Sequence, residues 1–315
     1  MNTRQRRRTR NRGISATVIG LVVLLFLTGI LFYVVSMFLP FQATGLAQSN
    51  NGNYDAELPR PPLSQILETA SPAPVSFLTP INLSEITNTG YMVLVNRELY
   101  LPYEPTGNAL VAAWPTVPVS VVAGMYLHPS ALAAIADMLA SARTADVGSF
   151  FMTSGFRDFA SQYTLYNSGM DRAFVLPPGH SEHHTGLAAD IQATGISQWQ
   201  LANSPQGRWL AANSYRYGLI LRYPEGTEHI TGVAFEPWHF RYVGRAHAYF
   251  IYNNNLVLEE YIELLQELGS ITFEKNGVTY HILRQIPKDG IIYVPTGLEF
   301  TISSDNTGGY IVKAW

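Results

Sequence analysis

Three short stretches of the 315-residue sequence concentrate the side chains that can do acid–base or metal chemistry. Residues 177–190 read PPGHSEHHTGLAAD and hold three histidines, one glutamate and one aspartate. Residues 235–242, FEPWHFRY, add a glutamate and a histidine three positions apart, and residues 154–157, SGFR, add an arginine. Because the sequence contains no cysteine, a zinc site here would have to use imidazole nitrogens and carboxylate oxygens, both of which zinc accepts.

A catalytic zinc site needs three protein ligands, an open position for water, and a carboxylate that can take a proton from that water. One histidine and one aspartate at close spacing would by themselves indicate an ordinary hydrogen-bonded pair. The presence of all three stretches in one chain favours a metal site over that simpler interpretation. The sequence therefore predicts a cleft with a bound metal ion.

The same stretches carry a resemblance to a known family. The pattern SxHxxGxAxD at residues 181–190, followed by ExWH at residues 236–239, resembles the zinc D-alanyl-D-alanine carboxypeptidases of the VanY type. These belong with the VanX dipeptidases in one metallopeptidase family. The resemblance includes residues 154–162 and the string YGLILRYP at residues 217–224, and it extends over residues 94–249.

The resemblance implies a role for each matching residue. His183, Asp190 and His239 match the three ligands of a Zn²⁺ cofactor, and Glu236 matches the catalytic base. Arg157 matches the arginine that engages the substrate backbone and the developing oxyanion. The positions that match residues near the substrate are Ser154, Gln162 and Ser181.

The chemistry of these residue types agrees with those roles. Two neutral imidazoles and one carboxylate would leave a zinc site with a net charge of +1, which lowers the pKa of bound water from about 15.7 towards 7. Glu236 would take the proton and deliver it to the leaving amine, and the planar fork of Arg157 suits a carboxylate or an oxyanion. Glu236 and His239 would face opposite sides of a regular strand, so Pro237 predicts a turn or bulge between them. His184 competes as a ligand, but we expect it to line the cleft.

The implied function is that of a membrane-anchored zinc carboxypeptidase that hydrolyses the terminal D-Ala of peptidoglycan stem peptides. An L,D-carboxypeptidase acting on stem tetrapeptides and a non-catalytic cell-wall binding protein are the alternatives. The presence of Glu236 favours an enzyme, because a decayed enzyme often loses its base first. The sequence leaves the D,D or L,D specificity and the oligomeric state open.

Helical and strand patterns are mixed along the body without a regular βαβ alternation, which predicts an α+β fold. The expected core is a small antiparallel sheet flanked by helices, with the zinc cleft on it. The predicted helices cover residues 130–143 with Ser130 as cap, 158–167, a segment starting at Ser204-Pro205, and 245–268 with a break at 253–255. The predicted strands cover residues 91–95, 150–156, 187–191, 219–223 and 234–243, followed by a hairpin at Asn276-Gly277 and further short strands.

The first forty residues predict a membrane anchor. Six arginines and no acidic residue occur within residues 1–54, and residues 14–39 carry no charge. That apolar run is long enough to span a bilayer as a helix and longer than the apolar region of a signal peptide. The arginines should stay in the cytoplasm. The protein would then be a single-pass protein of the cell membrane, with its catalytic domain on the extracytoplasmic side. The remainder of the chain has a net charge of −9, which argues against nucleic acid as a partner.

The expected organisation has five parts. Prolines cluster between residues 59 and 80, and this density favours extended chain over helix. The predicted parts are a basic head (1–13), a transmembrane anchor (14–39), a Pro-rich stalk (40–85), a zinc peptidase domain (86–268) and a β-rich C-terminal extension (269–315).

Overall fold

The computed structural model describes residue 66 and residues 77–86, 90–105, 109–113, 120–121 and 124–315. The predicted basic head, the anchor and most of the stalk lie outside these residues. Within the described ranges, no helix combines the length and apolar character that a bilayer span requires. All the described residues belong to one folding unit, residues 54–315.

Helices and strands are mixed along the described chain, which confirms the α+β fold. The strands are β1 (Leu78–Asn82), β2 (Val111–Ala112), β3 (Ser120–Val121), β4 (Tyr126–Leu127), β5 (Phe150–Ser154), β6 (Ala188–Ala193), β7 (Leu219–Leu221), β8 (His239–Tyr242), β9 (Ser270–Lys275), β10 (Val278–Gln285), β11 (Ile291–Pro295), β12 (Phe300–Ser304) and β13 (Tyr310–Ala314). The helices are α1 (Pro129–Thr144), α2 (Phe159–Tyr166), α3 (Pro205–Asn213), α4 (Glu228–Thr231), α5 (Arg245–Asn253) and α6 (Leu258–Leu268).

A five-stranded sheet with the order β3-β5-β6-β8-β7 forms the centre of the peptidase region. Its pairs are antiparallel, as predicted, except for the parallel pair of β3 and β5. Helix α1 packs on this sheet through the apolar positions that its sequence repeats at helical spacing, Leu132, Ile135, Met138 and Leu139. Burial of that face stabilises the sheet and fixes the strands that carry the site.

Side-chain caps mark the starts of three helices, α1, α2 and α3. Asp158 starts α2, as predicted, because its side chain accepts the N–H of Ser161. The predicted cap of α1, Ser130, is wrong: Pro129 occupies the first turn, and the His128 side chain accepts the Ser130 N–H. The predicted break in the 245–268 helix is confirmed, since α5 and α6 are separate helices.

The C-terminal strands form a four-stranded antiparallel sheet with the order β12-β13-β10-β9, including the predicted hairpin. This sheet shares a buried core with α5 and α6, where Ile271, Ile282 and Ile311 lie in one cluster with Ile262 and Leu265. The extension is therefore packed on the helices that precede it.

Strand β1 lies in the segment that the proline content predicted to be stalk. It pairs antiparallel with β11 over five residues, with Pro80 opposite Tyr293. Proline lacks an N–H donor, but it is tolerated here because β1 pairs with β11 alone and is an edge strand. The folded chain thus includes residues before the predicted boundary at residue 85.

Residues 90–96, which we call the connecting segment, differ from the predicted strand at 91–95. Met92 and Leu94 are buried, but neither belongs to a sheet ladder. Their N–H groups donate to the Ser303 hydroxyl (2.9 Å) and the Asp305 carbonyl (3.1 Å). The segment is apolar because it is buried, and these N–H groups form hydrogen bonds with a side chain and a loop carbonyl instead of with a neighbouring strand.

Candidate active site

Three neighbouring strands place one site residue each in a row across the central sheet. Asp190 on β6 lies directly opposite His239 on β8 and opposite Ser154 on β5. Cross-strand partners hold their Cβ atoms about 5 Å apart, so the pairing alone brings these three side chains together. His183 reaches the same point from the 3₁₀ turn Glu182–Thr185, just before β6.

The turn that carries His183 depends on the residues at its two ends. The Ser181 side chain accepts the His183 N–H at its start. Gly186 ends it in the left-handed conformation, with φ +68, where a Cβ atom would collide with the Leu110 side chain. The Gly186 carbonyl then accepts the N–H of His128 (2.8 Å), which ties the turn to the start of α1.

A second turn brings Glu236 and His239 into the same cleft. The His239 N–H donates to the Glu236 carbonyl (3.1 Å), and Pro237 and Trp238 form the corner before β8 begins. Glu236 Oε2 consequently lies 3.6 Å from His239 Nδ1. The turn predicted from Pro237 is confirmed.

His183, Asp190 and His239 have the geometry of a metal site. His183 Nε2 lies 3.5 Å from Asp190 Oδ2, and His239 Nδ1 lies 3.1 Å from Asp190 Oδ1. One ligand atom from each residue falls within 4.8 Å of the other two. Ligands about 2.0–2.1 Å from a tetrahedral zinc ion lie about 3.3 Å from one another, so the observed spacing fits zinc. His183 Nδ1 is bonded to the Gly155 carbonyl (2.6 Å), which leaves Nε2 as its ligand atom.

A buried carboxylate, Glu182, lies behind His239. Glu182 is about 1% exposed and bonds to Arg222 (2.8 Å) and Arg241 (2.7 Å). Burial alone would raise the pKa of Glu182, but the two guanidinium groups hold that pKa well below its usual range. Arg241 lies on β8 and Arg222 directly follows β7, each beside buried apolar residues, and an arginine in such surroundings is the signal that the sequence offered.

Glu236 lies in a cavity of about 460 Å³ that also reaches the three candidate ligands. The Glu236 side chain is almost wholly buried, and burial raises its pKa to about 8 in the metal-free protein. Phe174, Trp199 and Trp238 form one apolar wall of the cavity, with ring centroids 5.0–6.4 Å apart. The cavity therefore brings a carboxyl group next to the three candidate ligands at one end and an apolar surface along one side.

Arg157 lies in the loop after β5 and lines the same cavity. Its guanidinium donates to Gln162 Oε1 (2.6 Å) and to Ser154 Oγ (2.9 Å). Gln162 in turn donates to the Leu176 carbonyl (2.6 Å), which fixes the amide. Two of the residues predicted near the substrate therefore contact Arg157 directly, and Ser181 lies in the cavity wall.

His184 is not a ligand and does not line the cavity, so the expectation that it would is wrong. Its Nδ1–H donates to the Arg157 carbonyl (2.6 Å), and its Nε2 accepts the Gly179 N–H (3.0 Å). Both ring nitrogens are engaged behind the cleft wall, and burial lowers the pKa of His184 to about 4. A neutral His184 thus locks the backbone of Arg157 in place.

Comparison with known proteins agrees with this geometry. The family model for VanY, D-alanyl-D-alanine carboxypeptidase, matches residues 124–245. A D-alanyl-D-alanine carboxypeptidase of Enterococcus faecium is 38% identical over 192 residues, which cover 61% of this chain and 62% of that protein. The putative carboxypeptidase YodJ of Bacillus subtilis is 33% identical, with 56% of this chain and 68% of that protein covered.

A solved structure extends the comparison to the fold. The vancomycin resistance D,D-dipeptidase VanXYg, in complex with a D-Ala-D-Ala phosphinate analogue, aligns with a TM-score of 0.64 at 26% identity. The alignment covers 76% of this chain and 98% of that one. The range matched by the family model, residues 124–245, contains the strands and turns that carry the candidate ligands. The chain therefore belongs to the VanY family of D-alanyl-D-alanine carboxypeptidases.

Proposed function

We propose that the protein is a zinc D,D-carboxypeptidase that removes the terminal D-Ala from peptidoglycan stem peptides. The observation that carries this proposal is the meeting of His183, Asp190 and His239 with Glu236 and Arg157 in one cavity. The family model and the Enterococcus faecium relative support the choice of substrate, since both are named D-alanyl-D-alanine carboxypeptidase.

Zinc held by the two histidines and Asp190 supplies a Lewis acid that makes water nucleophilic near neutral pH and polarises a carbonyl group. Glu236 is the group that moves the proton. Its carboxyl group lines the cavity 3.6 Å from His239 Nδ1, next to the residues that would hold the metal. It accepts the proton of the attacking water and then donates it to the leaving amino group of D-Ala.

Arg157 orients the substrate and stabilises charge. Ser154 and Gln162 each accept one of its N–H groups, which fixes the plane of the guanidinium in the cavity wall. Negative charge develops on the scissile carbonyl oxygen during attack, and a preoriented donor is worth more in a buried site than in water. Arg157 therefore contributes mainly in the transition state.

The apolar wall of Phe174, Trp199 and Trp238 gives the cleft a surface that suits the small methyl side chains of an Ala-Ala terminus. Such a wall excludes water from the scissile bond but supplies no charged partner of its own. Arg157 is the cationic side chain among the residues that line the cavity, so it is the group that would bind the terminal carboxylate or the scissile carbonyl.

We also propose that the catalytic domain acts outside the cytoplasm, held to the cell membrane by residues 14–39. The motivation is the uncharged 26-residue run behind six arginines. Fractionation of cells expressing the full chain, followed by protease treatment of intact cells, tests this location. Recovery of the protein in the cytosol, or protection of the catalytic domain from external protease, would refute it.

The activity is tested by incubating the zinc-loaded full chain with synthetic stem tripeptide, tetrapeptide and pentapeptide. The proposal expects release of one D-Ala from the pentapeptide and no further trimming. Cleavage of the tetrapeptide alone would establish an L,D-carboxypeptidase, and absence of any cleavage would leave a binding protein. A chain carrying Glu236→Gln, purified in parallel, controls for contaminating peptidases.

A further inference from the structure

Glu182 presents its two carboxylate oxygens to different partners. Oε1 accepts from both Arg222 Nε (2.8 Å) and Arg241 Nη1 (2.7 Å). Oε2 is buried and has no hydrogen-bond partner among the described residues. A buried carboxylate oxygen without a partner is costly, so its orientation calls for an explanation.

The atom that Oε2 faces belongs to a candidate metal ligand. His239 Nε2 lies 3.5 Å from Glu182 Oε2 and is likewise buried without a hydrogen-bond partner among the described residues. The other ring nitrogen, Nδ1, faces Asp190 Oδ1 at 3.1 Å, where the metal site lies. A small closure of the gap would satisfy both orphaned atoms at once.

We propose that Glu182 is a positioning residue for His239. It accepts the Nε2–H of the imidazole and so fixes the tautomer in which Nδ1 carries the lone pair offered to zinc. The inference rests on the proposed zinc site. A residue that only neutralised the two arginines would not need to contact His239, whereas Glu182 in this proposal also sets the tautomer of its imidazole.

The remaining contacts of the two arginines hold Glu182 in place. Arg222 forms a two-bond pair with Glu259 on α6, at 2.7 and 2.8 Å. Arg241 donates through Nη2 to the carbonyls of Tyr91 and Val93 in the connecting segment, at 2.9 and 2.8 Å. Since both guanidinium groups are fully buried and engaged, Glu182 has little freedom to turn away from His239.

The substitution Glu182→Gln separates positioning from charge balance. A glutamine has one oxygen, and the two guanidinium groups require it at the position of Oε1. Its NH₂ group must then occupy the position of Oε2 and donate towards His239 Nε2. That arrangement favours the tautomer with the proton on Nδ1, which cannot bind zinc.

Glu259→Gln is the matched control. Like Glu182→Gln, this substitution removes one negative charge that pairs with the Arg222 guanidinium. Unlike Glu182, Glu259 has no contact with His239. Both variants should therefore lose thermal stability in the metal-free form, because each leaves a buried guanidinium with less negative charge. Only Glu182→Gln should change the tautomer of the ligand.

The experiment measures zinc affinity of the full chain by competition with a chromophoric chelator, alongside thermal unfolding in excess EDTA. Loss of a carboxylate behind a metal-binding histidine typically weakens metal affinity about 10–100-fold. We expect Glu182→Gln to raise the Kd for Zn²⁺ by that factor and Glu259→Gln to change it by less than about threefold. If Glu182→Gln does not fold, the double variant Glu182→Gln/Arg241→Gln restores the buried charge balance and should show the same loss, measured against Arg241→Gln alone.

An unchanged Kd for Zn²⁺ in the Glu182→Gln variant would overturn the inference. An equal rise in the Kd of the Glu182→Gln and Glu259→Gln variants would also overturn it, because it would indicate that Glu182 has a structural role only. Failure of the unmodified chain to bind stoichiometric zinc would instead refute the proposed function. The zinc affinity of the variants therefore tests the role of Glu182, and zinc binding by the unmodified chain tests the proposed function.

Discussion

Replacement of Arg157 tests whether this residue acts mainly in the transition state or mainly in substrate binding. The guanidinium is held by Gln162 at 2.6 Å and by Ser154 at 2.9 Å, so its position relative to Asp190 and Glu236 is set before substrate arrives. Loss of one preoriented oxyanion donor costs about 2.7–4 kcal/mol, or about 10²–10³ in kcat. We therefore expect Arg157→Ala to lower kcat by that factor with a smaller rise in KM.

The comparison with Arg157→Lys sharpens the expectation. A lysine ammonium lacks the planar fork and cannot contact Ser154, Gln162 and the substrate in the same arrangement. It should restore only part of the lost kcat. Steady-state kinetics on stem pentapeptide separate the two parameters, and Arg245→Ala serves as a control because that arginine is 60% exposed and pairs with an exposed aspartate.

A rise in KM with unchanged kcat would mean that Arg157 only holds the ground-state carboxylate. Unaltered kinetics would refute the reasoning altogether and leave Arg157 as a structural residue. In that case its bonds to Ser154 and Gln162 would serve only to close the cavity wall.

Three further outcomes are expected. Glu236→Gln should keep zinc and the fold but lower kcat by about 10²–10⁴, because the amide cannot accept a proton; turnover near that of the unmodified chain would identify another base. His239→Ala should lose stoichiometric zinc by elemental analysis, and retention of the metal would contradict the ligand assignment. Burial lowers the pKa of His247, which bonds to Tyr261, to about 3. In the unfolded chain this histidine has a pKa of about 6.5 and binds a proton at lower pH, whereas in the folded chain it stays neutral. The free energy of unfolding therefore decreases as the pH is lowered below about 6.5. Chemical denaturation at pH 7 and pH 5 should show the unmodified chain losing about 2 kcal/mol more than His247→Gln; equal losses would be incompatible with a buried neutral His247.

The candidate site could be predicted from the sequence because its motifs resemble those of a known family and because most of its parts are set locally. His183 and Asp190 are separated by one turn and the start of one strand, and Glu236 and His239 by one proline turn. The pairing of Asp190 with His239 is long-range, yet each side chain stands inside a motif whose residue types already restrict the chemistry. The helix starts at Asp158 and Ser204 depend on neighbouring residues only and were also predicted.

What the sequence did not predict depends on contacts between distant parts of the chain. Strand β1 contains Pro80 and reads as extended linker until its partner β11 is known. Arg222 and Arg241 are 40 and 59 residues away from Glu182 in the sequence, so their pairing with it depends on the fold. The connecting segment is apolar enough for a strand, but side chains and loops from the C-terminal sheet take its hydrogen bonds.

The most direct test of the central claim is the identity of the amino acid released from a stem pentapeptide by the zinc-loaded full chain. Chiral chromatography and mass spectrometry of the products measure it. The geometry of Glu236, Arg157 and the His183–Asp190–His239 site predicts one equivalent of D-Ala and a tetrapeptide, with no release by the Glu236→Gln chain. Equal D-Ala release by the two chains, or an intact pentapeptide in the presence of bound zinc, would contradict the account.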